Sequence, residues 1–229
     1  QFEEIFEKVK DSPQASTFLR KLVYNNAVKG QLATKRTDDE AVSTLLEEIN
    51  QERKHLAKLG KLKNYKLPTT IKDSPFDLPE NWCWVPLGTI GNIFSGNSMN
   101  AATKEKFRTN SRGLPYIATK DIEYAGEEPN YNNGIYIPSS EKQFRVAEAE
   151  SVLLCAEGGS AGKKIALTKR DVCFGNKLFA NKPFTGVCPK FVSYVYLSDF
   201  FYALFSQQMT GVIGGVSLKK FIELPFPLP

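Results

Sequence analysis

The residues best suited to chemistry lie close together. In Ser151-Val-Leu-Leu-Cys-Ala-Glu-Gly-Gly-Ser-Ala-Gly-Lys-Lys-Ile-Ala-Leu167 an apolar run enters a glycine-rich loop that ends in Gly162-Lys163. Backbone amides freed by glycine, beside an ammonium group, are what a phosphate needs, and the outline is that of the nucleotide-binding loop G-x-x-x-x-G-K-[ST]. The details fail. With Gly162-Lys163 in register, Glu157 takes the first glycine position, where a carboxylate repels phosphate, and Lys164 takes the place of the magnesium-binding hydroxyl. Lys163 to Thr168 shows no helix start, whereas a phosphate loop needs a helix N-terminus there. The segment reads instead as a hairpin: strand, six-residue loop Glu157 to Gly162, strand. Its glycines either serve a solvated turn that needs positive φ, or bring bare backbone and paired lysines up to a polyanion.

Other chemistry has few candidates. One histidine, His55, stands in a charged helical pattern and reads as a surface residue, which argues against Ser-His-Asp, Cys-His and H-E-x-x-H mechanisms. Cysteines 83, 155, 173 and 188 form no C-x-x-C pair, so buried free thiols are expected rather than zinc ligands. The net charge of +5 is mildly basic and permits nucleic-acid binding without demonstrating it. No apolar run approaches the roughly 20 residues of a membrane span, and the acidic start Gln1-Phe-Glu-Glu-Ile5 is unlike a signal peptide. A soluble, cytoplasmic chain is expected. Since the first residue is Gln rather than Met, the native N-terminus is expected to lie upstream.

These candidates need elements to position them. Residues 1–60 read as helices. Phe2, Ile5, Phe6 and Val9 share a face, and Ser12-Pro13 is a start signal. Phe18, Leu19, Leu22, Val23 and Val28 continue the stripe, which Gly30 closes. Thr37-Asp-Asp-Glu40 forms a capping box before Val42, Leu45, Leu46, Ile49, Leu56 and Leu59, with Gly60 at the end. The expectation is a helical hairpin or coiled-coil region whose seam is used against residues 2–28, leaving a monomer or a weak dimer. Residues 61–79, with Pro68, Pro75 and Pro79, read as an extended linker.

From residue 80 the pattern changes to short β-type runs between turns: 82–87, 113–118, 134–137, 151–156, 163–167, 171–174 and 177–180. Residues 189–208 return to one helix, hydrophobic all round, whose aromatic side chains belong in a core. The fold class is α+β: N-terminal helices, then a mixed, mainly antiparallel β domain over 80–229 with a hydrophobic helix.

Five pieces of that domain carry a family resemblance: Phe76-Asp-Leu-Pro-Glu-Asn-Trp-Cys-Trp-Val-Pro-Leu-Gly88, Gly113-Leu-Pro-Tyr-Ile-Ala-Thr-Lys-Asp-Ile122, residues 151–167, Asn176-Lys-Leu-Phe-Ala180, and Gly215-Val-Ser-Leu-Lys-Lys-Phe-Ile-Glu-Leu-Pro-Phe-Pro-Leu-Pro229. In this order they resemble a target recognition domain, the DNA-reading unit of the specificity subunit of type I restriction-modification enzymes. Leu19 to Leu67 is similar to the helical lead-in of some members. The chain departs from the pattern in having one recognition domain where family subunits usually carry two, and Lys177 where Gln is frequent.

The resemblance implies a module that binds double-stranded DNA and has no catalysis or cofactor of its own. Modification (methyltransferase) subunits supply the methyl transfer, and restriction subunits in the complex supply translocation and cleavage. The chain contains no Asn-Pro-Pro-aromatic tetrapeptide, no G-x-G-x-x-G loop and no Pro-Asp dipeptide. The expected DNA contacts are Gly158, Gly159, Ser160, Lys163 and Lys164, with backbone and ammonium groups on phosphates and Ser160 reaching a base edge. A second surface is the polar, flexible, basic stretch from Ser95 through Asn97, Ser98, Lys104, Lys106 and Arg108, with Arg112. Thr119 and Lys120, then Asn176 and Lys177, complete the set. Three other readings stand beside this one: an enzyme of DNA modification with its own active site, the recognition domain of a single-chain restriction-methylation enzyme, and a structural adaptor acting through its helices.

A purified chain of this kind is expected to show no ATP hydrolysis, DNA methylation or DNA cleavage. ATP turnover that survives purification and disappears on Lys163→Ala is the result that would overturn the hairpin assignment.

Overall fold

Val152, Leu153, Leu154 and Cys155 are all buried, so this strand must be covered on both faces. The computed structural model, which describes residues 6, 12, 14–32, 41–62, 66–68, 71, 74–108 and 112–229, shows what covers it. The strand is β6 (Val152–Cys155), the sixth of ten among the described residues. It pairs antiparallel with β7 (Ile165–Leu167) on one edge and β9 (Leu178–Pro183) on the other, and β9 pairs with β2 (Gly91–Ser95). This first sheet has the order β2-β9-β6-β7. A second sheet, β4-β3-β8-β5, is built from β3 (Leu114–Ile117), β4 (Tyr136–Ile137), β5 (Val146–Ala147) and β8 (Val172–Phe174). Within it β3 and β8 run parallel and the other pairs antiparallel. A two-stranded ribbon joins β1 (Cys83–Pro86) to β10 (Pro225–Leu228).

Side chains alternate across a strand, and here both faces are apolar. Val152 and Leu154 join a core shared with the helices, while Leu153 and Cys155 meet Ile117, Val172 and Phe174 of the second sheet. The outer face of that sheet presents Tyr116, Ile137 and Cys173 to Phe107 of a further helix. The molecule is thus layered as helices, first sheet, second sheet, and a last short helix.

Six α-helices are described: α1 (Ala15–Val28), α2 (Val42–Lys58), α3 (Ala101–Arg108), α4 (Pro189–Leu197), α5 (Asp199–Gln207) and α6 (Leu218–Ile222). Two differ from the sequence expectation. Residues 101–108, expected as part of a flexible loop, are helical because the Asn100 side chain accepts the Thr103 N–H at 2.8 Å and caps the first turn. The single helix expected over 189–208 is two. Ser198 is extended at φ −72°, ψ 148°; its hydroxyl donates to the Val195 carbonyl at 2.6 Å and accepts the Phe201 N–H at 3.2 Å, closing α4 and starting α5. The aromatic residues do form core. Phe221 of α6 stands amid Phe179, Tyr196, Phe201 and Phe205, with ring centroids 5.0, 5.8, 6.1 and 6.1 Å away.

The N-terminal helices lean on this body. Ile49 of α2 is fully buried in the core of the first sheet, Leu45 lies over Gly186, and the Glu52 carboxylate accepts the Thr185 N–H at 2.8 Å. The apolar seam is therefore used within the chain, against the β body. The expected capping box at 37–40 and the stripe residues Phe2, Ile5 and Val9 lie outside the described residues. Helix α1 stacks Tyr24 on Tyr194 at 5.2 Å, and Asp199 binds it from below: Lys21 and the Asn25 amide each donate to its carboxylate at 3.0 Å, and Asn25 Oδ1 accepts its N–H at 3.0 Å.

Partial burial disfavours the Asp199 charge, but the bonds from Asn25 and Lys21 more than offset this and hold the carboxyl below its ordinary range. A depressed folded pKa contributes stability above the unfolded value, and that contribution is lost as pH falls through the folded one. Asp199→Asn should therefore lower stability near neutral pH, by about 0.5–1 kcal/mol since the pair is solvent-screened. Melting curves of the two proteins should converge as the pH is taken down towards 3. A gap that stays constant would show that the charge is not what docks α1.

Candidate nucleic-acid interface

The glycine loop is the turn of the β6–β7 hairpin, followed by a strand and not by a helix. Gly158 and Gly162 have φ of +95° and +72°, so two of its glycines meet the conformational need read from the sequence. The loop is closed by Gly162 N–H to the Cys155 carbonyl at 2.8 Å and Ala161 N–H to the Gly158 carbonyl at 2.9 Å. Its two lysines diverge. Lys163 is exposed, its ammonium 5.7 Å from the ring centre of Tyr202 on α5. Lys164 turns the other way, donating to the Thr119 carbonyl at 3.3 Å while lying 5.2 Å from the Tyr124 ring. The Tyr124 and Ser160 hydroxyls are 3.4 Å apart. The loop is thereby tied to the turn that carries Thr119 and Lys120.

That turn has its own anchor. Asp121 is buried; one of its oxygens accepts the Ala118 N–H and the Asn133 amide, each at 2.9 Å. Lys120 is left exposed at the surface.

On the other side of the loop, Glu157 pairs with Lys177 at 3.5 Å. The carboxylate that spoils a phosphate loop is thus a partner for one of the predicted contact residues. Glu157, Asn176 and Ser95 line a cleft of about 550 Å³, whose far wall is the segment Thr210–Leu218. The Gly158 N–H donates to Gly214 and the Val216 N–H to Ala156, which fixes that segment against the loop. Its tip holds Val212 and Ile213, 107% and 70% exposed, an apolar prominence that no sequence pattern marked.

Ser95 and Asn97 have an unexpected role. Both ends of the Asn97 carboxamide are engaged: Oδ1 accepts the Arg145 N–H at 2.8 Å and Nδ2 donates to the Gln143 carbonyl at 3.1 Å. Its own N–H donates to the Phe174 carbonyl at 2.9 Å, and its carbonyl accepts from the Tyr116 hydroxyl at 2.8 Å. Burial pushes the Tyr116 phenol up to about 12, so it remains a donor at any ordinary pH. Arg145 Nη1 donates to the Ser95 carbonyl at 2.8 Å and lies 3.3 Å from its hydroxyl. Asn97 is a brace, and the side chain it braces is exposed. No local sequence signal marks Arg145, which is brought to Ser95 from fifty residues away.

The remaining cations gather elsewhere. Lys106 of α3 pairs with Glu141 at 3.6 Å, and Arg108 with Glu105 at 3.5 Å. Lys106 and Arg112 line a second cleft of about 460 Å³ with Glu141. Lys104 lies half-buried on the same helix, and Ser98 is exposed just before it. Segment 141–145 bridges the two groups, with Glu141 at Lys106 and Arg145 at Ser95. The structure thus brings together the glycine loop, Thr119, Asn176, Lys177 and Ser95, and sets Lys106, Arg108 and Arg112 apart.

The thiols follow their burial. Cys155 and Cys173 are buried, and desolvation raises both, Cys173 to about 11; Cys188 is exposed. Among the described residues, no group of three or more His, Cys, Asp or Glu side chains is placed to hold a metal ion, and no helix is long and apolar enough to cross a membrane.

No protein-family model matches the chain. The chain is similar to the specificity subunit of the type I restriction enzyme EcoAI from Escherichia coli, at 34% identity over 123 residues, 53% of this chain and 20% of that protein. It is similar also to the EcoEI specificity subunit from Escherichia coli, at 35% identity over 104 residues, 44% of this chain and 17% of that protein. The matched stretch is homologous to type I specificity subunits, and it spans a fifth or less of those relatives' length. Among solved structures, the HsdS subunit from Thermoanaerobacter tengcongensis covers 94% of this chain with TM-score 0.51 and 18% identity, the match taking in 58% of that subunit. The specificity subunit of a type I restriction-modification system from M. genitalium covers 99%, with TM-score 0.50 and 16% identity, over 46% of that subunit. At these identities the likeness is one of fold.

The geometry separates the loop's glycines. A Cβ on Gly162 would lie 2.6 Å from Phe205, and the position is left-handed, whereas one on Gly159 meets nothing within 4 Å. Gly162→Ala should cost about 2 kcal/mol or more, and Gly159→Ala should stay within about 0.5 kcal/mol of the parent. Urea denaturation measures both. Equal effects would mean that the loop is not seated on Phe205.

Proposed function

We propose that this chain is a DNA-recognition component of a type I restriction-modification system. It reads sequence in double-stranded DNA and directs the methylation and cleavage carried out by modification and restriction subunits, without chemistry of its own and in the cytoplasm. The observation that carries this reading is the 34% identity to a type I specificity subunit over 123 residues. The surface around the glycine loop supports it. Exposed Lys120, Lys163 and Lys177, with half-buried Lys164, surround a turn held by its own backbone hydrogen bonds, and among the described residues Glu157 is the one carboxylate that pairs with any of these lysines. Such a surface suits a phosphate backbone, which supplies most of the affinity and is read by cations without regard to sequence.

The two loop lysines have different parts in it. Lys163 is the direct phosphate contact. Lys164, bonded to the Thr119 carbonyl, holds the turn that presents Lys120. The N-terminal helices, with Glu47, Glu48 and Lys54 exposed on α2, form the face towards the modification subunits.

The test is DNA binding by the chain assembled with its modification subunits, measured across a salt series. Lys163→Ala with Lys164→Ala should weaken binding on every sequence and lower the log–log salt slope by about one for each phosphate no longer neutralised. An unchanged affinity and slope in the double variant would remove the loop from the interface. Absence of any sequence preference in the unmodified assembly would overturn the function itself.

A further inference from the structure

We propose that Arg145 is the base-reading arginine of this surface, presenting its Nε–Nη2 edge to the O6 and N7 atoms of a guanine in the major groove. The inference rests on the DNA-recognition reading above and assigns within it the residue that specifies sequence.

Three observations carry it. The first is how the backbone is held. Asn97 takes the Arg145 N–H on Oδ1 at 2.8 Å and gives its Nδ2 to the Gln143 carbonyl at 3.1 Å, a pair of bonds that fixes the turn leading to Arg145. Asn97 is itself fixed, by Tyr116 at its carbonyl and Phe174 at its N–H. Phe144, the preceding residue, is locked by edge contacts with Phe107 and Tyr116 at 5.9 and 6.4 Å. An exposed side chain does not need so stiff a base for stability.

The second is how the guanidinium is held. Nη1 is bound to Ser95, at 2.8 Å to its carbonyl and 3.3 Å to its hydroxyl. That leaves Nε and Nη2, the two parallel donors on the side of the fork. Among the described residues neither makes a hydrogen bond, and no carboxylate pairs with the group. Among these residues Arg145 shares the lack of a carboxylate with Lys163 and Arg170, whereas Arg20, Lys106, Arg108 and Lys177 each have one within 4.0 Å.

The third is place. Ser95, which holds the guanidinium, also lines the cleft shared by Glu157 and Asn176, one residue from Lys177. Arg145 thus stands beside the lysine-bearing surface and not among its lysines. Phosphate contacts tolerate a mobile ammonium, as on Lys163. Base edges demand a fixed direction, and a donor fork held in place before binding gives up less freedom when it docks. Arginine against guanine O6 and N7 is the commonest such pairing.

The test uses the chain assembled with its modification subunits and a randomised double-stranded DNA library. The unmodified assembly should enrich a motif containing a guanine that Arg145→Ala and Arg145→Lys no longer select. Preference there should fall by roughly 5- to 150-fold, with other positions unchanged. Arg145→Lys keeps the charge and a donor for Ser95, which separates a loss of readout from a loss of fold or of electrostatic field. A further arm needs no variant: 7-deazaguanine at that position, which lacks the N7 acceptor, should weaken binding by the unmodified assembly and add nothing in either variant. If the variants retain the full motif and bind every sequence more weakly, Arg145 is a phosphate contact and the inference fails while the proposed function stands. If 7-deazaguanine is tolerated at every selected guanine, the inference also fails. If the unmodified assembly enriches no motif, both fall together.

Discussion

Phe221 is the contact on which the rest of the body depends. Four rings surround it, one from the first sheet, one from α4 and two from α5, and it has no exposed surface. Removing a buried ring of this kind costs about 3–5 kcal/mol, a large part of the roughly 5–15 kcal/mol that holds a typical domain together. The cluster also sets the shape of the glycine loop. Phe205, one of the four, fills the space where a side chain on Gly162 would lie. The glycine loop therefore has its shape because an aromatic core stands directly beneath it, and the Thr210–Leu218 segment is held between that loop and the helix carrying Phe221.

A second arrangement works by polar contacts instead. The chain Tyr116–Asn97–Arg145–Ser95 joins the second sheet, the exit of β2 and the segment before β5. Buried apolar contacts determine where these strands lie, but do not fix the direction of one exposed side chain. Directional bonds do that. The burial that raises the Tyr116 phenol keeps its hydroxyl a donor to the Asn97 carbonyl.

How much was legible in the sequence follows from the range of the forces concerned. The β6–β7 hairpin was legible because glycine, apolar strand and turn are local, and the same holds for Gly30 and Gly60 at the ends of α1 and α2. The division of the aromatic helix was missed although Ser198-Asp199 is a local start signal, because apolar residues on either side continue the helical pattern. Helix α3 was missed for the opposite reason: Ala101–Arg108 has only one buried side chain, Phe107, and reads as polar loop unless Asn100 is recognised as its cap. Strand β10 was hidden by prolines. Pro225 and Pro227 lack the donor that a ladder needs, and a two-stranded ribbon opposite Pro86 and Trp84 accommodates them. Ser95 and Asn97 stand out in the sequence as candidate DNA contacts, but the partners they hold lie 46 to 50 residues away. No local pattern links Asn97 to Arg145.

The β1–β10 ribbon has a further consequence. Cys83 lies opposite Leu228, so the path into the body and the path out of it run side by side. Everything between them, including both sheets and the whole cation-bearing surface, is a loop on a closed stem. A unit connected in this way enters and leaves at one place, while α1 and α2 stay docked on its flank through Asp199 and Thr185. The spacing of Cys83 and Leu228 is thereby the one distance that any rearrangement between them must preserve.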